Sequence, residues 1–137
     1  MVRILGIDPG TKRCGIAITD STETMAFPRE AIPFGDDFVQ HVARLVEEEG
    51  VQLVVIGRPV SLTGSTTPST DFADELFVKV SAALELAVVQ HDERLTTTAA
   101  QRSLSSAGLK VKDHRHRIDS AAAVVMLQHF ADSRNAP

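Results

Sequence analysis

This 137-residue chain is predicted to adopt an α/β fold: a mixed five-stranded sheet with helices on both faces. Three observations lead there. Two β-rich apolar runs, residues 4–7 and 14–19, flank the turn-forming Asp8-Pro9-Gly10 and read as an antiparallel hairpin. Residues 51–56 form a nearly continuous β-branched run, the pattern of a strand covered on both faces. Apolar residues at helical spacing separate the later strands, so those strands join through right-handed crossovers and their helices have two faces to cover.

Taken in order, the hairpin is followed by the turn Asp20-Ser21-Thr22-Glu23 and a third extended piece, residues 25–32, which Pro28 assigns to a sheet edge. Phe38, Val39, Val42, Leu45 and Val46 mark an amphipathic helix with Glu47-Glu48-Glu49 on its solvated side and Gly50 as its stop. After the strand at 51–56, residues 61–70 are rich in Ser, Thr, Gly and Pro and read as a loop leading to a helix that carries Phe72, Leu76, Val80 and Leu84. Residues 87–90 give the fifth strand. A helix is expected over 97–107 with Gly108 as its cap, then a basic connector and a last helix over 118–131. The length suits one domain spanning residues 1–137.

Apolar residues make up 43% of the chain and charged residues 23%, as in ordinary globular proteins and unlike disordered ones. The net charge of -4 means that any attraction to phosphate must come from a local patch. Cys14 is the only cysteine, which excludes an intramolecular disulfide and fits a reducing compartment. It reads as a small core residue, with a bridge between two chains as the alternative. No secretory signal or membrane-length apolar run is legible, so a cytoplasmic location with no membrane partner is expected.

In sheets of this kind functional groups collect beyond the carboxyl ends of the parallel strands, where Asp8, Gly57 and Asp92-Glu93 fall. The strand order resembles that of RNase H-like proteins, whose nucleases place one acidic residue after the first strand, another after a later strand and a third on the closing helix. Asp8, Glu93 and Asp119 fit those slots. Hard divalent cations take oxygen ligands, so carboxylates converging from separate elements point to Mg²⁺ or Mn²⁺ and to metal-assisted phosphodiester hydrolysis.

The string Asp8-Pro9-Gly10-Thr11-Lys12-Arg13-Cys14-Gly15-Ile16-Ala17 resembles the first motif of the bacterial YqgF family, also called RuvX. Three further segments match in order: Gly57-Arg58-Pro59 through Gly64, Asp92-Glu93-Arg94-Leu95-Thr96-Thr97, and Ile118-Asp119-Ser120-Ala121-Ala122-Ala123-Val124. The resemblance spans nearly the whole chain. It implies an RNase H-like fold and a nuclease maturing the 5′ end of pre-16S rRNA, or a Holliday-junction resolvase acting on branched or single-stranded DNA. It implies a nucleic-acid partner in either case, a ribosomal particle in the first, and a monomer or a homodimer. Two departures stand out: Arg58 occupies a position where the family usually has leucine, and Ser61-Leu62-Thr63 replaces an asparagine-containing stretch. The three acidic positions follow the family.

Each candidate has a plainer reading beside it. Asp8 could cap a turn, and Asp119 could answer a helix dipole. Adjacent residues at a strand end point to opposite faces, so only one of Asp92 and Glu93 is expected to face Asp8; Glu93 is the candidate, with Asp92 the alternative. Arg102, Lys110, Lys112, Arg115 and Arg117 stand against Asp113 alone, five cations against one carboxylate and a net +4, making the region a phosphate-binding patch or a solvated connector. Thr11, Lys12, Arg58 and Arg94 are further candidates for contact with a sugar-phosphate backbone. His114 and His116 lack the companions a zinc site needs. The string Asp8-Pro9-Gly10-Thr11 also resembles the phosphate loop of actin-like ATPases, but those enclose a nucleotide between two lobes, for which this chain is too short. A non-catalytic nucleic-acid-binding module is the remaining alternative.

Overall fold

Residues 4–7 are apolar or glycine throughout, and a strand sends successive side chains to opposite faces, so this strand needs cover on both sides. The computed structural model, which describes residues 2–95 and 120–135, provides it. Strand β1 (Arg3–Asp8) lies at the centre of a five-stranded sheet. On one side it pairs with antiparallel β2 (Arg13–Thr19), which pairs with antiparallel β3 (Ala26–Pro33) at the edge. On the other side runs parallel β4 (Val51–Arg58), followed by parallel β5 (Ala87–Asp92).

Helices α1 (Phe38–Glu49) and α2 (Pro68–Ala83) cover one face, where Leu5, Ile7, Ile16, Ile18, Val54 and Ile56 pack with Phe38, Val42, Leu76 and Val80. Helix α3 (Ala121–Asn135) covers the other, setting Ala123, Met126 and Leu127 against Ile4, Ala17, Leu53 and Val55. Gly6 lets α3 come close, because a Cβ there would stand 3.0 Å from the Leu127 Cβ. Ala123 is fully buried at this contact, as the small-residue run suggests, whereas Ala122 is exposed.

Some boundaries move, each for a local reason. β4 and β5 run two residues past the apolar runs that mark them, because the ladder continues through Gly57 opposite His91 and Arg58 opposite Asp92 whatever their side chains. Helix α2 takes residues 68–70 from the expected loop: Thr67 and Thr70 form a reciprocal capping box, and Pro68 starts the first turn, where it has no N–H to waste. Gly50 ends α1 in the left-handed region at φ 67°, as expected. Helix α3 continues to Asn135, past the expected end at 131, since Asp132-Ser133-Arg134 contains no breaker. The expected helix at 97–107, its Gly108 cap and the basic connector lie outside the described residues.

Between β2 and β3 the register slips, so that Gly15 opposes both Glu30 and Ala31. Ser120, just ahead of α3 and fully buried, repairs the gap. Its hydroxyl accepts the Ile16 N–H at 3.0 Å and donates to the Arg29 carbonyl at 2.6 Å. One side chain thus pins the start of α3 to the hairpin. Cys14, two residues before Ile16 on β2, is buried in the core under α1 and α2, donating to the Gly10 carbonyl at 3.6 Å, and burial pushes its thiol up to about 11. A thiol so held is an unreactive packing group.

Candidate active site

Asp8 is the last residue of β1, and Glu93 opens the 3₁₀ turn Glu93–Leu95 that follows β5. Strand β4 lies between them in the sheet, so the two carboxyl groups can meet only across its end. Gly57 makes the crossing possible. A Cβ at that position would collide with Glu93 Oε1 and stand 2.9 Å from its Cδ and 3.1 Å from its Cγ. The Glu93 side chain therefore lies over the bare glycine backbone and hydrogen-bonds to Asp8.

The electrostatics follow from this contact. Burial first, then the hydrogen bond with Asp8 and the negative charges of Asp8 and Asp92, push the Glu93 carboxyl up to about 9. Near neutral pH Glu93 therefore keeps its proton. A divalent cation can replace that proton, and oxygen-only donors suit a hard ion such as Mg²⁺ or Mn²⁺. Among the described residues, no group of three or more His, Cys, Asp or Glu is gathered as for a metal ion. Asp119 lies outside the described residues, and the next residue, Ser120, is the buried anchor of α3.

Asp92 turns to a different partner. Arg94 donates to it through its backbone N–H at 2.9 Å, through Nε at 2.9 and 3.1 Å and through a terminal nitrogen at 2.6 Å, which holds Asp92 below the usual carboxylate range. The structure thus brings Glu93 to Asp8 and leaves Asp92 with Arg94. Gly64, in the left-handed region at φ 88°, sits against Arg94, where a Cβ would stand 3.2 Å from Nη1. Arg58 is likewise engaged: its fork donates to Asp74 of α2 at 2.9 and 3.2 Å, and Gln90 donates to the same carboxylate at 2.8 Å. It ties the end of β4 to α2. Thr11 and Lys12 are exposed on the β1–β2 turn. Lys110, Lys112, Arg115 and Arg117 lie outside the described residues.

Two contributors escape a reading of motifs. Gly57 stands in a recognisable string, but its role as the gap that admits Glu93 depends on β4 lying between β1 and β5. Ser120 shows no sequence signal beyond its place after Asp119.

A family model described as "RuvX: Holliday junction resolvase" matches residues 2–133. The chain belongs to the RuvX family. A RuvX relative from Chloroflexus aggregans, named "Putative pre-16S rRNA nuclease", is 36% identical over 136 residues, covering 98% of this chain and 96% of that protein. A protein of the same name from Bacillus thuringiensis (strain Al Hakam) is 38% identical over 140 residues, covering 97% and 100%. Among solved structures, Thermus thermophilus RuvC in complex with Holliday junction substrate matches this RuvX chain with a TM-score of 0.64 at 15% identity, over 98% of this chain and 96% of that one. The fowlpox virus Holliday junction resolvase matches with a TM-score of 0.63 at 13% identity, over 96% and 99%. These neighbours establish the fold as RNase H-like.

Proposed function

We propose that this RuvX-family nuclease trims the 5′ end of pre-16S rRNA, hydrolysing phosphodiester bonds with Mg²⁺ or Mn²⁺ held by Asp8, Glu93 and Asp119. The observation that carries the reading is the Asp8–Glu93 contact across Gly57. Two acids driven together at the end of a sheet, one of them pushed up to about 9, form a site that gains from a cation. Support for the substrate comes from relatives that cover nearly the whole chain at 36% and 38% identity and carry pre-16S rRNA in their names.

Asp8 and Glu93 would hold the ion, with Asp119 as the third carboxylate. When bound, a divalent cation supplies positive charge to the scissile phosphate and acidity to water. The protein's own part is positioning. Gly57 and the β5 end fix Glu93, the β1 ladder fixes Asp8, and Arg94, steadied by Asp92, offers a guanidinium beside the loop at Gly64. Thr11 and Lys12 on the adjacent turn and the cationic residues Lys110, Lys112, Arg115 and Arg117 supply backbone contacts; Arg58 serves the same end by holding α2 in place. The enzyme would act in the cytoplasm, on the ribosomal precursor particle.

The family description favours a second reading, resolution of four-way DNA junctions, which needs a symmetric dimer with paired sites. Side-by-side cleavage of end-labelled 5′-extended 16S rRNA precursor and a synthetic four-way junction, with wild-type and Asp8→Asn protein in Mg²⁺ or Mn²⁺, separates the two. Metal-dependent cutting of the RNA alone, lost in Asp8→Asn, is the expected result. Symmetric nicking of the junction alone establishes the resolvase, and cleavage of neither by the chain or by the chain with precursor particles leaves a non-catalytic binding module.

A further inference from the structure

Beside the carboxylate pair is a cleft of about 340 Å³ between the β1–β2 turn and the start of α2, lined by Pro9, Gly10, Thr11, Pro68, Ser69 and Phe72. It begins one residue past Asp8. That volume lies at the lower end of the range for small-molecule sites, roughly 300–1,000 Å³. None of its lining side chains is charged. The nearby helix N-terminus does not make it an anion site: Pro68 has no N–H, the Thr70 amide is taken by the Thr67 hydroxyl at 3.3 Å, the Asp71 amide by the Thr67 carbonyl at 3.1 Å, and Asp71 puts a negative charge in the first turn. What the cleft offers is one aromatic ring, two proline rings and two hydroxyls. Phe72 is half-buried and its ring is braced edge-on by Phe34, 4.9 Å between centroids, with Phe34 in turn against Phe38 at 5.7 Å. A flat, uncharged ring with a hydrogen-bonding rim fits that chemistry.

We propose that this cleft holds one unpaired nucleobase of the substrate, stacked on Phe72, in the nucleotide next to the scissile phosphate. The inference rests on the nuclease reading above and narrows its substrate to a strand unpaired at the cut. A base inside a duplex has both faces covered and cannot enter, whereas a single-stranded or extruded base presents a face to an aromatic ring. Stacking on an aromatic side chain is sequence-tolerant, so the site selects for an unpaired strand more than for a base identity. With a net charge of -4, the chain gains from a subsite that does not depend on attraction to phosphate.

The test uses single-stranded RNA whose cut site has been mapped with wild-type protein, with an abasic nucleotide placed in turn at each position around it. Removal of one base beside the cut is expected to raise KM by about 5- to 100-fold while kcat changes little. Phe72→Leu, which keeps an apolar side chain for packing against Phe34, should show the same loss on intact RNA and no further loss on the abasic RNA; Phe72→Trp should restore tight binding. Equal effects at all positions, or losses from Phe72→Leu and the abasic nucleotide that simply multiply, overturn the proposal. Should wild-type protein cut no RNA, the nuclease reading falls, and fluorescence anisotropy with a labelled single-stranded 12-mer in EDTA decides the cleft by itself. Weaker binding by Phe72→Leu than by Phe72→Trp then upholds it, and equal binding by wild type and both variants ends it.

Discussion

The proton that Glu93 keeps beside Asp8 makes the site sensitive to pH. Glu93 is raised from 4.5 to about 9, so over that interval the folded protein holds a proton that the unfolded chain has released. The contribution is fully present below about 4.5 and is lost as pH rises through about 9. Denaturant unfolding in EDTA at pH 6 and pH 9 should therefore show wild type losing more stability on the alkaline side than Glu93→Gln; parallel losses would sink the idea. Cation uptake at pH 7.5 should also release about one proton, read as a dependence of calorimetric heat on buffer ionisation enthalpy. Gly57→Ala tests the geometry from the other side. Its methyl must push Glu93 away from Asp8, and a displacement of about 1 Å costs roughly 10²-fold in rate, so cleavage should drop steeply while the thermal midpoint stays near wild type.

At the scale of elements, helix α3 is the piece whose placement matters most, because it follows Asp119 in sequence and crosses the whole face of the sheet. Two features of unlike kind seat it. Gly6 sets its distance from β1, and Ser120 sets its start against the β2–β3 bulge. Ser120→Ala leaves the buried Ile16 N–H and Arg29 carbonyl unpaired, which should cost about 1–3 kcal/mol in unfolding free energy. Gly6→Ala overpacks the Leu127 contact and should cost about as much. If Ser120→Ala unfolds at the wild-type denaturant midpoint, the bulge does not depend on the hydroxyl. On the opposite face, Arg58, Asp74 and Gln90 bind α2 to the ends of β4 and β5, so the cleft and the carboxylates rest on one connected support.

For the molecule as a whole, the sheet order brings Asp8 and Glu93 to one end, with β4 between their strands. The first strand leads the antiparallel hairpin on one side and the parallel crossovers on the other, so the connections diverge at β1 and leave the carboxyl ends of β1, β4 and β5 open together. A cation bound there links elements far apart in sequence and should stabilise the native state by mass action. Thermal melts at pH 8 should rise with millimolar Mg²⁺ or Mn²⁺ in wild type and not in Asp8→Asn. An equal rise in both proteins would place the ion elsewhere.

Periodicity and turn chemistry by themselves determined the five strands and the two described crossover helices, because apolar alternation and Pro-Gly punctuation act over a few residues; the three acidic candidates followed from the resemblance to RNase H-like nucleases. Boundaries were less legible: β4 and β5 are prolonged by pairing with each other, and α2 begins at a capping box inside a Ser/Thr-rich stretch. Only the tertiary structure decided which acid meets Asp8. Asp92 and Glu93 are neighbours with nearly the same chemistry, and the choice falls to Glu93 because it opens the 3₁₀ turn and finds Gly57 bare beneath it, while Arg94 folds back on Asp92. Arg58 shows the same limit. The sequence offers a cation at a strand end, and only the packing of α2 shows that Asp74 is its partner. Residue type and spacing carry the local fold and the chemical repertoire; which partner each group keeps is settled by distances between strands that sequence separation does not encode.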